Sequence, residues 1–546
     1  MAVIDGTAAA APQRSPTSRT VVVLARRSFL DARARTVAFA YVFAVYAWLQ
    51  VAGYKSAYPT IADRTAFAAS FAGNDAIRLF YGYPYNVITI GGYGAWRVGG
   101  TLAIAAAAFG VLAAVRAMRA EEESGRAELV LAGPLRRRTT FVSAVVAIGA
   151  GTAALWAAEC IGFIAGRLPV AGSAYLAVAT ASVVPVFTGA GAVVSQLAAT
   201  RRGALGLGSA FIALCWLLRV LADTSAAGAW LRWATPLGWA EELRPFTGAR
   251  PLVLLLPAAA TAALLVVAAH ISTTRDVGTG ILPARDTASP RLALLSSPSR
   301  QAVRAERGSF VVWALCVAAS AAVLGMVSTS ISSAGISQKL QRNIGKLGAG
   351  PITTPSGYLA FVFIVFILAV CVFGCGQVGA VREEEAEGRT GTLFALPVDR
   401  SRWLGARLLI AVIGAAVLSA LAGLFTWAGA ASQGVTISLP RMLEAGANCL
   451  PVSLLFLGVA SLAYACAPRA SAAISYGAVS LAFIWYLVGS LSGVPKWATD
   501  LTPFAHIGLV PSQHFQPVAA LAMVGVGLAC AMAALAGFRR RDVPAS

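Results

Sequence analysis

Residues Arg119–Arg138 read RAEEESGRAELVLAGPLRRR, and this stretch stands between two long apolar runs. A second version, Arg382–Arg402, reads REEEAEGRTGTLFALPVDRSR. Aligned on their Gly-Arg pairs, Gly125-Arg126 matches Gly388-Arg389, Arg119 matches Arg382 and Pro134 matches Pro397, all at an offset of 263 (388 − 125). Further along, Arg202 matches Arg469 and Thr235-Pro236 matches Thr502-Pro503, at an offset of 267 (469 − 202). Loop insertions account for the drift. The chain is an internal duplication, and the charged stretch recurs at one fixed place in each half.

The apolar runs around it define the fold class. The 546 residues are 58% hydrophobic and only 12% charged, with a mean hydropathy of +0.73. Soluble domains carry about 25% charged residues. Runs of 18 or more apolar residues are long enough to cross a hydrocarbon core of about 30 Å as helices. The short alternating segments of a β-barrel are missing. We expect spans near Thr36–Ala52, Trp96–Val115, Thr139–Ala165, Ser173–Leu197, Ala204–Ala222 and Pro251–Ile271 in the first half. In the second they fall near Ser309–Val327, Gly357–Val381, Leu404–Gly429, Gly446–Cys466, Ser471–Gly489 and Val518–Phe538. The expected architecture is an all-α polytopic membrane protein of about 12 transmembrane helices. Six spans per half is an even number, so the halves share one orientation and form two parallel six-helix repeats.

The expected organisation follows. Residues 1–25 form a disordered cytoplasmic tail, with no signal-peptide pattern. Residues 26–271 form the first transmembrane half. Residues 272–308 form a Pro- and Arg-containing cytoplasmic linker, 309–538 the second half and 539–546 a basic cytoplasmic tail. Arg26–Arg35 reads as either a short interfacial helix or a basic anchor. The net charge of +20 reports orientation, because most Lys and Arg fall in the segments assigned to the cytoplasm. It does not point to nucleic acid. The eight Cys lie in or beside apolar runs, with no disulfide or metal pattern. His270, His506 and His514 have no metal-ligand spacing, so no metal is expected.

The charged stretch itself reads as a docking element. Glu122 and Arg126 are four residues apart, as are Glu385 and Arg389, the favourable order for a helical ion pair of about 0.3–0.5 kcal/mol. Gly125 and Gly388 mark a bend. An apolar tip follows, Leu129-Val130-Leu131 or Leu393-Phe394-Ala395-Leu396, and Pro134 or Pro397 ends it. A short helix with an apolar tip and charged flanks seats in a groove of a soluble partner. A solvated loop whose charges only fix topology is the bland alternative. Acidic residues contribute little to topology, so the Glu triplets favour docking.

The pattern E-E-E-x-G-R-x-E-L-x-L-A-x-P, with its second copy E-E-x-E-G-R-T-G-T-L-x-A-L-P, resembles that of ABC-2-type transporter permeases. It is most similar to actinobacterial multidrug and polyketide-antibiotic exporters of the tetronasin type, with two fused six-span halves. The resemblance covers nearly the whole chain. It implies coupling helices at Glu121–Leu131 and Glu384–Leu393, so that Glu121, Glu122, Glu123, Arg126, Glu128, Leu129, Glu384, Glu385, Glu387, Arg389 and Leu393 contact an ATPase. It also implies two copies of a cytoplasmic ATP-binding subunit, which would hold the ATP and Mg2+, and re-entrant external helices at Trp230–Gly248 and Val494–Phe515. The second copy departs from the first at Thr390-Gly391-Thr392, so the two docking contacts need not be equivalent. The chain has no G-x-x-x-x-G-K-[ST] phosphate loop. It therefore carries no cofactor of its own.

Within the spans, Glu159 and Arg219 are ionisable groups at a cost of about 2.5–3.5 kcal/mol each on insertion scales. They are expected to line an export path and to pair, with snorkelling to the interface as the alternative. Trp156 and Trp216 are candidates for an apolar cavity wall or for packing. The reading is an exporter subunit for amphipathic or hydrophobic small molecules in the bacterial plasma membrane, with both termini cytoplasmic. The rivals are a proton-coupled secondary transporter, an exporter of lipid or cell-wall precursors, and a non-transporting scaffold.

Overall fold

The first helix, Ser18–Ala57, runs for 40 residues, about 60 Å at 1.5 Å per residue, in a computed structural model of the chain. That is twice a hydrocarbon core, so its basic first half stands beyond the apolar part. Arg26–Arg35 is therefore not a separate interfacial helix but the basic part of this one. It contains no Gly or Pro, and its Arg, Ala and Leu residues are good helix formers. The expected tail 1–25 is helical from Ser18 for the same reason. The structure describes residues 18–71, 81–133, 135–224, 228–282, 297–329, 341, 345, 350–386, 388–395, 399–492 and 495–541.

The chain folds as two units, Met1–Ala68 with Ile77–Ala288 and Ala69–Ala76 with Ser289–Ser546. Among the described residues there are no strands, and 11 helices are long and apolar enough to cross a membrane. In the first unit these are Arg19–Ala57, Ile90–Glu123, Arg137–Ala165, Val170–Leu197, Arg201–Asp223 and Pro251–Thr274. In the second they are Ser299–Met326, Pro355–Ala386, Arg400–Ala431, Leu439–Cys466 and Pro517–Arg540. The expected eleventh span is the helix Ser471–Ser492, whose shorter apolar part is Ser471–Leu487. The chain is a multi-pass membrane protein of roughly twelve spans.

Each unit repeats the same order of elements, including its irregularities. The fourth span breaks between Val170–Ala181 and Val183–Leu197, and its counterpart breaks between Leu439–Ala447 and Leu450–Cys466. Pro185 and Pro451 sit just past the breaks, where the missing N–H interrupts the ladder. The third span packs along the first in both units. A Cβ on Gly162 would collide with the Ala44 carbonyl, and one on Gly429 with the Ala322 carbonyl. Phe43, Leu155, Phe163 and Phe187 are fully buried in the first unit's core.

Two expected boundaries move. The second span does not stop at Val115 but continues as one helix to Glu123, so Arg119 and the Glu triplet form its last turns rather than a loop. The seventh span begins inside the expected linker, at Pro298. There Ser297 caps the Arg300 N–H, and proline suits the first helical position. The expected re-entrant segments are pairs of short helices, Ala229–Ala234 with Pro236–Glu242 and Lys496–Thr499 with Pro503–His506. Val494, and residues 283–296 of the linker, lie outside the described residues.

Candidate functional site

The bend expected in the charged stretch is present in both copies. Gly125 and Gly388 both have φ +72°, a left-handed conformation costly for any residue with a Cβ. Each precedes a six-residue helix, Arg126–Leu131 and Arg389–Phe394. The ion pair expected around the first bend is different. Once Gly125 turns the chain, Arg126 leaves the helix face that carries Glu122, and its guanidinium lies 3.7 Å from Glu121 instead.

Glu122 pairs far along the chain. Arg275, which follows the sixth span, donates from Nη2 to both Glu122 oxygens at 2.5 and 2.7 Å. Its Nε donates to Gln196 at 2.7 Å, in the last turn of the fourth span. Arg137, the first residue of the third span, donates to the Arg275 carbonyl oxygen. Arg119 is 1% exposed and reinforces the cluster. It donates to Glu122 at 2.8 Å, to the Thr279 and Gly278 carbonyls at 2.9 and 3.0 Å, and to the Ala199 carbonyl. One carboxylate thus ties together the ends of the second and sixth spans, and the start of the third is bound to the same arginine.

The second unit rebuilds this clasp with matched residues. Glu385 (385 − 122 = 263) accepts from Arg541 (541 − 275 = 266) and from the Tyr464 hydroxyl. Arg400 (400 − 137 = 263) donates to the Arg541 carbonyl at 2.8 Å. The sequence reading missed Arg137, Arg275, Arg400 and Arg541, although their repeat offsets were available as a signal. Glu384 is held elsewhere, by Arg407 at 2.6 and 2.8 Å. Arg407 also reaches Glu306 at 3.1 Å.

The remaining expected contacts are unequal. Glu123 accepts from the Arg201 backbone N–H at 2.8 Å, and Glu128 is exposed. Leu129 is 78% exposed. Leu393 is half-buried, and its neighbour Phe394 packs edge-on against Trp403, ring centres 5.5 Å apart. Glu387, Leu396 and both prolines, Pro134 and Pro397, lie outside the described residues, as does the side chain of Arg389.

Inside the first unit, Glu159 and Arg219 do not pair. Glu159 is fully buried, and among the described residues neither carboxylate oxygen has a hydrogen bond of good geometry, Thr180 being its polar neighbour. Arg219 instead faces Glu241 at 3.2 Å and Asp223 at 3.7 Å. Arg232 donates to Asp223 at 2.7 Å. The short helix Pro236–Glu242 thereby anchors to the end of the fifth span. Burial, and then the neighbouring Asp223 carboxylate, push Glu241 well above the usual carboxylate range, against the pull of Arg219 and Arg232. Trp156 donates to the Ala174 carbonyl at 3.2 Å, and Trp216 packs against the first unit's core.

A cavity of about 750 Å³ opens beside the first clasp, between the basic part of the first helix and the third span. Comparison with known proteins gives two findings. The family model described as "Multidrug efflux system permease Rv1217c, C-terminal domain" matches residues 92–271 and 295–539. The chain is also 31% identical over 502 residues to the multidrug efflux system permease protein Rv1217c of Mycobacterium tuberculosis (strain ATCC 25618 / H37Rv), across 91% of this chain and 90% of that protein.

Proposed function

Since the chain belongs to the multidrug efflux permease family of Rv1217c, we propose that it is the membrane subunit of an ATP-driven exporter for amphipathic or hydrophobic small molecules. Two copies of a separate cytoplasmic ATPase, which hold the ATP and Mg2+, supply the energy. The observation that carries this reading is the repeated clasp. In both units the short helix hangs by a left-handed glycine from the end of the preceding span, and one carboxylate in that last turn joins it to the far end of the sixth span, with the third span bound alongside. A push on that helix reaches three spans at once. In this reading the Arg119–Arg138 end faces the cytoplasm of a bacterial plasma membrane, as does each terminus, in keeping with its basic character.

The mechanism follows from the linkage. Closure of the ATPase dimer displaces the helices Arg126–Leu131 and Arg389–Phe394. The clasps carry that displacement into the spans, and the substrate path changes the side to which it opens. Purification of the chain with the product of an adjacent ATPase gene, followed by ATP-dependent drug uptake into inverted vesicles, tests the reading. Transport that survives ATP depletion while the proton gradient is intact would sink it.

A further inference from the structure

The cavity beside the first clasp has a charge imbalance that the clasp does not use. Seven arginines and three acidic residues line it. Two of the acids, Glu121 and Glu122, are already engaged by Arg126 and by Arg119 and Arg275. Arg35, Arg116 and Arg201 line the same cavity, and both Arg116 and Arg201 lie close enough to Arg35 for their charges to oppose its own. All three side chains are exposed, and among the described residues none has an ion-pair partner. They belong to the first, second and fifth spans. Arg35 and Arg116 each adjoin the end of an apolar run, where a span leaves the hydrocarbon core. Below them the wall turns apolar, with Phe39, Leu112 and Ala147.

The second unit carries a different residue at a matched position. Ala144 lines the cavity, and its repeat match is Arg407 (407 − 144 = 263). Arg407 is buried and bridges Glu306 and Glu384. There the chain supplies both the cation and its carboxylates. In the first unit it supplies cations, an apolar wall and space.

We infer that this cavity binds an anionic phospholipid, with the phosphate among Arg35, Arg116 and Arg201 and an acyl chain along Phe39, Leu112 and Ala147. Basic pockets between transmembrane helices take anionic headgroups, and a volume of this size suits a bound small amphiphile. The assignment holds whichever side of the membrane the basic end faces.

The test uses the full-length chain in detergent, incubated with equal amounts of phosphatidylglycerol and phosphatidylcholine, and separately with dodecyl phosphate, and examined by native mass spectrometry. The expected result is at least a tenfold preference for phosphatidylglycerol. Arg35→Gln/Arg116→Gln abolishes that preference, and Arg202→Gln, at an exposed arginine outside the cavity, preserves it. Ala147→Phe, which leaves every arginine in place, reduces retention by obstructing the chain path, and it serves if the double variant cannot be purified. No lipid preference in the parent, or retention unchanged in both cavity variants, overturns the assignment. Retention of dodecyl phosphate but not of phosphatidylglycerol also overturns it, in favour of a soluble anionic amphiphile.

Discussion

The guanidinium of Arg275 holds both carboxylate oxygens of Glu122 across 153 residues of chain. The second unit makes the matched bond between Arg541 and Glu385. Arg275 and Glu122 are 7% and 17% exposed. Their bond is charge-assisted and largely shielded, the kind of hydrogen bond worth about 1.5–3 kcal/mol. Arg275→Gln should therefore lower the thermal unfolding temperature, and Glu122→Gln/Arg275→Gln should lose less than the sum of the single changes. Strict additivity in that cycle would mean that the pair does not interact.

Charge reversal tests the clasp as a transmission. If the proposed ATPase drives transport through the clasp, Glu122→Lys or Glu385→Lys should leave membrane insertion intact while ATP hydrolysis no longer drives drug uptake. Normal coupling ratios in both variants would remove the clasp from the mechanism.

The left-handed glycines give a milder perturbation. Gly125 has open space around its Cβ position, so Gly125→Ala meets no clash and only the backbone cost of about 1–2 kcal/mol. Expression should be unchanged and the coupling ratio lowered, with a similar effect for Gly388→Ala. Equal coupling in both variants and the parent would show that the bend angle is not transmitted.

Glu241 sets a pH dependence. Its carboxyl is raised in the folded chain, so the folded state holds a proton that the unfolded state has released. Stability should be greatest below the ordinary carboxylate range and fall as pH rises from there through the elevated native value. Glu241→Gln should flatten that fall in thermal melts taken from pH 4 to 8. A parent whose stability rises over the same interval would contradict the burial of this group.

Much of this was legible from periodicity. Apolar runs placed the spans, and the offsets of 263 and 267 aligned the units down to the bends at Gly125 and Gly388. The partners of Glu122 were not legible. Helical spacing considers only neighbours three or four residues away, and the left-handed glycine takes Arg126 off that helix face. Arg275 and Arg541 looked like ordinary basic residues after a span, a position that topology alone explains. Their role appears only when the ends of three helices meet. Glu159 and Arg219 paired on paper because both are charges at similar depth. Asp223, one helical turn beyond Arg219, and Glu241 on the next short helix were nearer.

The tips of the two short helices have different surroundings. Phe394 rests against Trp403, with Phe538 6.3 Å away, whereas Leu129 stands in the open. Under equal load the Phe394 tip, braced by its aromatic neighbours, should yield less than the Leu129 tip. A symmetric pair of pistons pressing on this chain would produce unequal strokes, and the lag between them would be built into the polypeptide.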